Sequence, residues 1–259
     1  MGSAALYHLA KAKFKVLGLD KFGPGHKKGS SHGDTRIIRK AYHEHPSYVP
    51  LLKESTRLWR ELEGETGQPL LHNTGCLSIG DACKPARDAA VKHGLDHVLL
   101  SGREVNRQYL GYNLPDDMPA LYEAGAGILE SEKCIAAHCE VAKSAGTELR
   151  WEDGMTAWKA DGSGVQVTTT KGGTYLASRL VLCCGAWIGE VVPQLKTVCI
   201  PERQVVAWFD TQDDPRFAFG AFPVCMMIDG GPSRSCYAFP NFRKSGDDYG
   251  WSRGVKAEA

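Results

Sequence analysis

The sequence predicts an α/β protein in which an α/β layer is interleaved with an α+β domain built on a mostly antiparallel sheet. Three observations carry that prediction. A helix from Met1 to Lys11 leads into a strand, Lys15–Asp20, that ends in a carboxylate. An apolar run, Arg179–Cys184, closes on the small-residue turn Gly185-Ala186-Trp187. Beyond Pro201, alternating runs such as QVVAWF and SCYAF have the period of a half-buried sheet.

The N-terminal helix can bury Ala4, Leu6, Leu9 and Ala10 on one side, with Gly2 and Ser3 at its start. Asp20 follows Gly2 by eighteen residues. In a Rossmann-like βαβ unit the third glycine of G-x-G-x-x-G opens the helix, and an acidic residue about 20 positions on holds ribose hydroxyls. Gly2 and Asp20 fit those two places, which would put the first strand and the first two glycines upstream of Met1. Next comes Lys28–Tyr42, with a Gly-Ser-Ser-His-Gly turn and two arginines, Arg36 and Arg39. Backbone N–H groups of Gly29 to Gly33, Ser30 and Ser31 among them, can line a pyrophosphate, while the arginines can hold phosphate or carboxylate through forked donors. A surface loop with two solvated arginines has the same composition.

Val49, Leu52, Thr56, Trp59 and Leu62 recur at helical steps behind Pro50 and predict a helix ending near Gly64–Gly67. Thr74–Gly80 predicts a short strand, Lys84–His93 a helix with Pro85 in its first turn, and Gly94–Gly127 a mixed stretch. Helical spacing returns from Glu132 to Ala145 and stops at Gly146, a C-cap residue. Val165–Thr170 and Thr174–Ser178 flank Lys171-Gly172-Gly173 and predict a hairpin; Arg179–Cys184 predicts a buried strand. A small-residue turn at the carboxyl end of such a strand is where an α/β sheet admits a ligand, which singles out Gly185, Ala186 and Trp187.

With 259 residues, 42% hydrophobic and 24% charged, the chain is long enough to bury a substantial core in one or two domains. A net charge of +1 offers no general attraction to nucleic acid or anionic membranes. No apolar run reaches membrane-spanning length and no basic-then-apolar leader opens the chain. The nine cysteines form no C-x-x-C pair, so buried free thiols in a reducing, cytoplasmic compartment are expected. No metal site is expected: His43 and His45 flank Glu44, but no second cluster has ligand spacing.

Several segments together resemble the flavin-dependent sarcosine oxidase family, which also contains N-methyltryptophan and fructosyl-amino acid oxidases. They are MGSAALYHLAK, LGLDKFGPGHKKGSSHGDTRIIRKAYHEHPSYVPLL, LWRELEGETG, TGCLSIG, CCGAWIGE, ERQVVAWF and YAFPNF, which run from residue 1 to about 246 in the family's order. The resemblance implies a Rossmann-like FAD-binding domain (1–70 and 132–196) interleaved with a substrate domain (71–131 and 197–259), with a divergent tail from about 247. It implies FAD as cofactor and a small secondary amine or N-alkyl amino acid as substrate, oxidised to an imine while oxygen is reduced to hydrogen peroxide.

Residue by residue, the resemblance gives Arg39 the role of pairing with the substrate carboxylate, Thr35 and Arg36 a flavin-side role, His32 a place near the flavin ring, and Tyr237 that of the active-site tyrosine of Tyr-x-Phe-Pro. Three departures point to impaired activity. Asp248 stands eleven positions after Tyr237, where the family has the lysine that promotes oxygen reduction, and Lys244 is out of register. The family's flavin-linking cysteine motif is missing, as is the Gly-rich segment that carries a second carboxylate anchor. Two expectations compete with this: a non-catalytic remnant or binding protein of the same family, and a nicotinamide-binding Rossmann enzyme, in which GSSHGDTRIIR would have no role.

Overall fold

The computed structural model describes residues 1–231, 235–242 and 255–258. In chain order the helices are α1 (Gly2–Lys11), α2 (Val49–Thr66), α3 (Cys83–His93), α4 (Gly102–Gln108), α5 (Ser131–Ser144) and α6 (Ile188–Val191). The strands are β1 (Leu17–Leu19), β2 (Thr35–Ile38), β3 (Leu71–Asn73), β4 (Cys76–Gly80), β5 (Val98–Ser101), β6 (Pro119–Glu123), β7 (Gly127–Glu130) and β8 (Glu148–Arg150), followed by β9 (Met155–Asp161), β10 (Gly164–Thr169), β11 (Thr174–Ala177), β12 (Val206–Phe209), β13 (Val224–Ile228), β14 (Ser235–Phe239) and β15 (Val255–Glu258). They divide into two units: Met1–Gly33 with Glu65–Gln68 and Ser131–Arg203, and Asp34–Gly64 with Pro69–Glu130 and Gln204–Ala259. Among the described residues no helix is long and apolar enough to cross a membrane.

In the first unit β1 pairs in parallel with β8, Leu17 opposite Glu148 and Leu19 opposite Arg150. Leu6 and Ala10 of α1 pack with Ala142 of α5, Val16 and Leu149. Gly18 makes that contact possible, because a Cβ there would lie 2.6 Å from Leu149 Cδ2 and 3.1 Å from Leu6 Cδ1. Strands β9, β10 and β11 form an antiparallel sheet in which Val165, Val167 and Thr169 face inward. Its β10–β11 turn contains Gly172 at φ +81, a left-handed position that a glycine takes without strain.

The expected buried strand Arg179–Cys184 is not formed. The segment has no strand assignment, and Val181 is 59% exposed. Apolar β-branched sequence makes a strand only where a neighbour takes up its N–H and C=O groups, and β1 and β11 are paired with β8 and β10 instead.

The second unit holds two sheets. One is antiparallel, in the order β2-β7-β3, with Thr35 opposite Glu130 and Ile37 opposite Ile128. The other has seven strands in the order β12-β15-β14-β13-β4-β6-β5 and is antiparallel except where β13 runs parallel to β4. Cys76, Val224, Phe239, Ala126 and Ile128 form a buried cluster against which Ile37, Tyr237 and Phe242 pack. Helix α3 brings Ala86, Ala89 and Ala90 against Val49 and Leu121. This contact, with the β2–β7 pairing, is why Asp34–Gly64 lies in the second unit, whereas the sequence expectation grouped 1–70 with the nucleotide-binding part. Helix α4 is started by a capping box in which Ser101 and Glu104 each satisfy the other's backbone N–H.

His138 on α5 is 6% exposed, and its ring lies 5.2 Å from that of Tyr7. The Tyr7 hydroxyl donates to Glu65 Oε2 at 3.0 Å and accepts from Lys11 Nζ at 3.0 Å, and Lys11 also pairs with Glu65. Burial pushes the His138 imidazole down to about 4, with His8 and the N-terminal ammonium adding to the shift. Its ordinary value is 6.5, so its contribution to stability is fully present above pH 6.5 and is lost as pH falls toward 4, where only the unfolded chain takes up the proton. The loss should be on the order of 3 kcal/mol. Urea denaturation at pH 7 and pH 4.5 checks this, with His138→Gln expected to show a clearly smaller difference between the two conditions.

Candidate active site

The expected site residues fall into both units. Gly2, Asp20, Ser30, Ser31, His32, Gly185, Ala186 and Trp187 belong to the first, and Thr35, Arg36, Arg39 and Tyr237 to the second.

In the first unit the amides of Gly2, Ser3 and Ala4 precede the first helical bond of α1, Ala5 N–H to Met1 C=O at 3.0 Å, and so have no acceptor within the helix. A Cβ at Gly2 would lie 3.3 Å from Cys183 Cβ, a close approach that only a small residue allows comfortably. Asp20 stands one residue past β1. Its Oδ1 accepts from Phe22 N–H at 2.8 Å and faces His26 Nε2 at 3.8 Å, and its side chain is 38% exposed, leaving Oδ2 open to a hydroxyl donor. Beside it the rings of Phe22 and Trp187 are 5.4 Å apart. Lys21 Nζ sits 5.9 Å from the Trp187 ring centre and Lys28 Nζ 5.1 Å from that of Phe22. A carboxylate, unpaired helix amides and two ammonium groups fit the ribose and phosphates of a dinucleotide such as FAD. Lys21 and Lys28 went unnoticed in the sequence because lysines beside an aromatic residue look like any solvated surface.

Gly185 adopts φ +53 and opens a single tight turn, Gly185–Trp187, that leaves Ala186 at the surface. The Gly29–Gly33 loop is tied to the start of α5: Ser131 Oγ donates to Ser31 C=O at 2.6 Å, and Gly33 N–H donates to Glu132 Oε1 at 2.9 Å. His32 Nδ1 lies 3.4 Å from the same Glu132 oxygen, and His32 N–H bonds Gly29 C=O at 3.2 Å. The amides of His32 and Gly33 therefore have acceptors within the protein. Ser30 lies in the same loop.

In the second unit Arg39 leaves β2 with only 6% of its surface exposed. Its Nη2 lies 2.7 Å from His43 Nδ1 and donates to Glu44 Oε2 at 3.1 Å, and its guanidinium covers the Tyr42 ring at 4.5 Å. Its Nε is buried and has no acceptor among the described residues. Burial holds the His43 imidazole below its ordinary value, the Arg39 charge reinforces this, and Glu44 opposes it. A neutral ring whose Nδ1 accepts from Arg39 carries its proton on Nε2.

Thr35 is buried at 4% exposure, and its carbonyl oxygen receives two cations: Arg36 Nη1 at 2.6 Å and Lys256 Nζ at 2.8 Å. Lys256 is itself 3% exposed, sits on β15 opposite Phe239, and holds its ammonium 4.6 Å from that ring's centre. Tyr237 is half-buried, packs edge-on to Phe239 at 5.5 Å, and faces Met226 directly across the β13–β14 pair.

Lys256 and Met226 were both missed in the sequence. Counting a fixed interval from Tyr237 led to Asp248, which, like Lys244, lies outside the described residues. Strand pairing sets which side chain lies opposite Phe239, and the number of connecting residues does not. The signal available was Gly254-Val255-Lys256-Ala257, a lysine set in strand-like sequence.

Comparison with known proteins fits this geometry. Residues 1–252 match the family model described as FAD dependent oxidoreductase. The chain is 39% identical over 259 residues to a monomeric sarcosine oxidase of Streptomyces avermitilis, covering 96% of this chain and 65% of that protein. It is 32% identical over 234 residues to an N-methyl-L-tryptophan oxidase of Yersinia pestis, covering 87% of this chain and 62% of that one. It thus spans somewhat less than two thirds of the length of these curated relatives. Among solved structures, the open form of NikD, described as an unusual amino acid oxidase essential for nikkomycin biosynthesis, superposes with a TM-score of 0.78 at 21% identity over 99% of this chain and 66% of that one. L-proline dehydrogenase from P. horikoshii does so with a TM-score of 0.74 at 17% identity over 99% of this chain and 66% of its own. The structural likenesses agree on the fold, and the family match over residues 1–252 makes the chain a member of the FAD dependent oxidoreductase family.

Proposed function

We propose that this chain binds FAD through its first unit and oxidises a secondary, N-alkyl amino acid such as sarcosine, giving an imine and hydrogen peroxide. The observation that carries the reading is Arg39, a desolvated guanidinium with one nitrogen committed to His43 and Glu44 and a buried Nε that has no acceptor among the described residues. A buried cation with an unsatisfied donor calls for an acceptor, and an anion that enters and leaves can supply one. A substrate carboxylate is such an anion, and Tyr237, half-buried beside Met226 in the same unit, is the side chain this reading sets against the rest of a small amino acid.

FAD, when bound, supplies the acceptor for the hydride equivalent and passes electrons on to oxygen. The protein's part is electrostatic. Arg36, half-buried, and Lys256, 3% exposed, both donate to the Thr35 carbonyl oxygen, which brings two positive charges together where they can favour a negative charge that develops beside them. In this reading Lys256 is the cation that would assist oxygen reduction. In the first unit Asp20 would accept ribose hydroxyls, and the α1 amides with Lys21 and Lys28 would face the phosphates. The two units would accordingly divide cofactor and substrate binding between them.

The experiment is peroxide release by the purified chain, with FAD supplied, over sarcosine, N-methyltryptophan, pipecolate and fructosyl-glycine. Flavin binding together with peroxide from at least one of these is expected, and flavin binding with no bleaching by any of them under anaerobic conditions would defeat the reading. Arg39→Lys should raise the apparent dissociation constant of a carboxylate ligand roughly tenfold to a hundredfold with flavin content unchanged, because an ammonium cannot reproduce the directed donors of a planar guanidinium. Lys256→Met should slow peroxide formation by about a hundredfold while changing the anaerobic step less than about fivefold. Stopped-flow measurement of the two half-reactions separates these effects.

A further inference from the structure

Glu123, the last residue of β6, is 3% exposed. Its carboxylate reaches back over 82 positions in sequence to the residues that follow Arg39: Lys40 N–H lies 3.1 Å from Oε1 and 3.0 Å from Oε2, and Ala41 N–H donates to Oε2 at 2.9 Å. Lys40 Nζ stands 3.7 Å from Oε1. Gly125 makes room for that ammonium, since a Cβ there would lie 3.0 Å from Lys40 Nζ. Directly across the sheet from Glu123 is Cys76, whose thiol burial pushes up to about 12 and the Arg39 charge pulls back down. Arg39, the turn behind it, Glu123 and Cys76 thus form one buried cluster.

From this geometry we infer that Glu123 is a positioning residue for Arg39, setting the direction in which the guanidinium and its unsatisfied Nε face. The inference rests on the reading of Arg39 as the carboxylate anchor. Two consecutive amides held by one carboxylate fix the backbone immediately after Arg39, where β2 has ended and no ladder bond constrains it. The anchor at the other end is β6, an interior strand of the seven-stranded sheet. A planar guanidinium that must aim a donor at a carboxylate tolerates little misplacement, so holding its base holds its direction.

The sign of the effect distinguishes this role from simple electrostatics. A buried negative charge near Arg39 competes with an incoming anion, so by charge alone Glu123→Gln should tighten carboxylate binding. By positioning it should weaken it, because a carboxamide offers one acceptor and presents N–H donors to two backbone N–H groups.

The test is titration calorimetry of propionate and of propionamide into the FAD-supplied chain and its variants. Glu123→Gln is expected to raise the propionate dissociation constant about tenfold relative to that of propionamide; this ratio is insensitive to a general loss of stability. Glu123→Asp keeps the charge and withdraws the carboxylate from both amides by one methylene. It should raise the ratio about threefold or more and carries the test if Glu123→Gln does not fold. A Glu123→Gln or Glu123→Asp ratio equal to or below that of the unmodified chain, with Arg39→Lys still weakening propionate, overturns the positioning role alone. Wild-type propionate affinity in Arg39→Lys overturns both the anchor and the role built on it.

Discussion

Taking a guanidinium or an ammonium out of water costs several kcal/mol unless its donors are met, and the second unit does this at Arg39 and Lys256, 6% and 3% exposed. Much of the surrounding architecture follows from that cost. Lys256 spends a donor on the Thr35 carbonyl and lays its charge on the Phe239 ring; Arg39 spends one nitrogen on His43 and Glu44 and its face on Tyr42. Both arrangements need the β2-β7-β3 sheet to lie where it does in this unit, because Thr35 is on β2 and Arg39 just beyond it. The apolar cluster of Ile128, Phe239, Val224 and Cys76 contributes the burial that makes these charges effective as well as expensive.

What could be read from the sequence was mainly local. Helix α1, the short strand β1 and the carboxylate at Asp20 follow from periodicity and spacing within 20 residues, and so does the β10–β11 hairpin with its glycine turn. Arg39 and Tyr237 were singled out through motifs that keep their local order. The misreadings were non-local. Arg179–Cys184 has the composition of a buried strand, yet composition cannot supply the neighbour that a strand needs. Lys256 was passed over because its place is decided by pairing with β14. Glu123 carried no signal at all, since a glutamate at the end of a short strand usually faces water, and only the fold brings it to the amides of Lys40 and Ala41.

The division into units shows the same contrast. Sequence order suggests that everything up to about residue 70 belongs with the nucleotide-binding part. The packing of Val49 against α3 and the pairing of Thr35–Ile38 with Gly127–Glu130 draw Asp34–Gly64 into the other unit. The arginine-bearing segment that begins in a loop tied to α5 therefore ends in a sheet. His32 is held by Glu132 in one unit, and Thr35 lies at the start of β2 in the other.

The parallel pairing of β13 with β4 joins Val224 to Cys76 and Ile228 to Gly80. During synthesis the β4 segment leaves the ribosome long before its partner exists. At about 5–20 residues per second the wait is roughly 7–30 s. Over that interval Leu77 and Ile79, both fully buried in the finished protein, have no strand beside them on the β13 side. The nascent chain thus carries an open, apolar strand edge for many times the microseconds in which a hairpin closes. A protein built this way depends on being shielded while it is made, and its yield in a cell should be governed by chaperone supply and translation speed as much as by the stability of the completed fold.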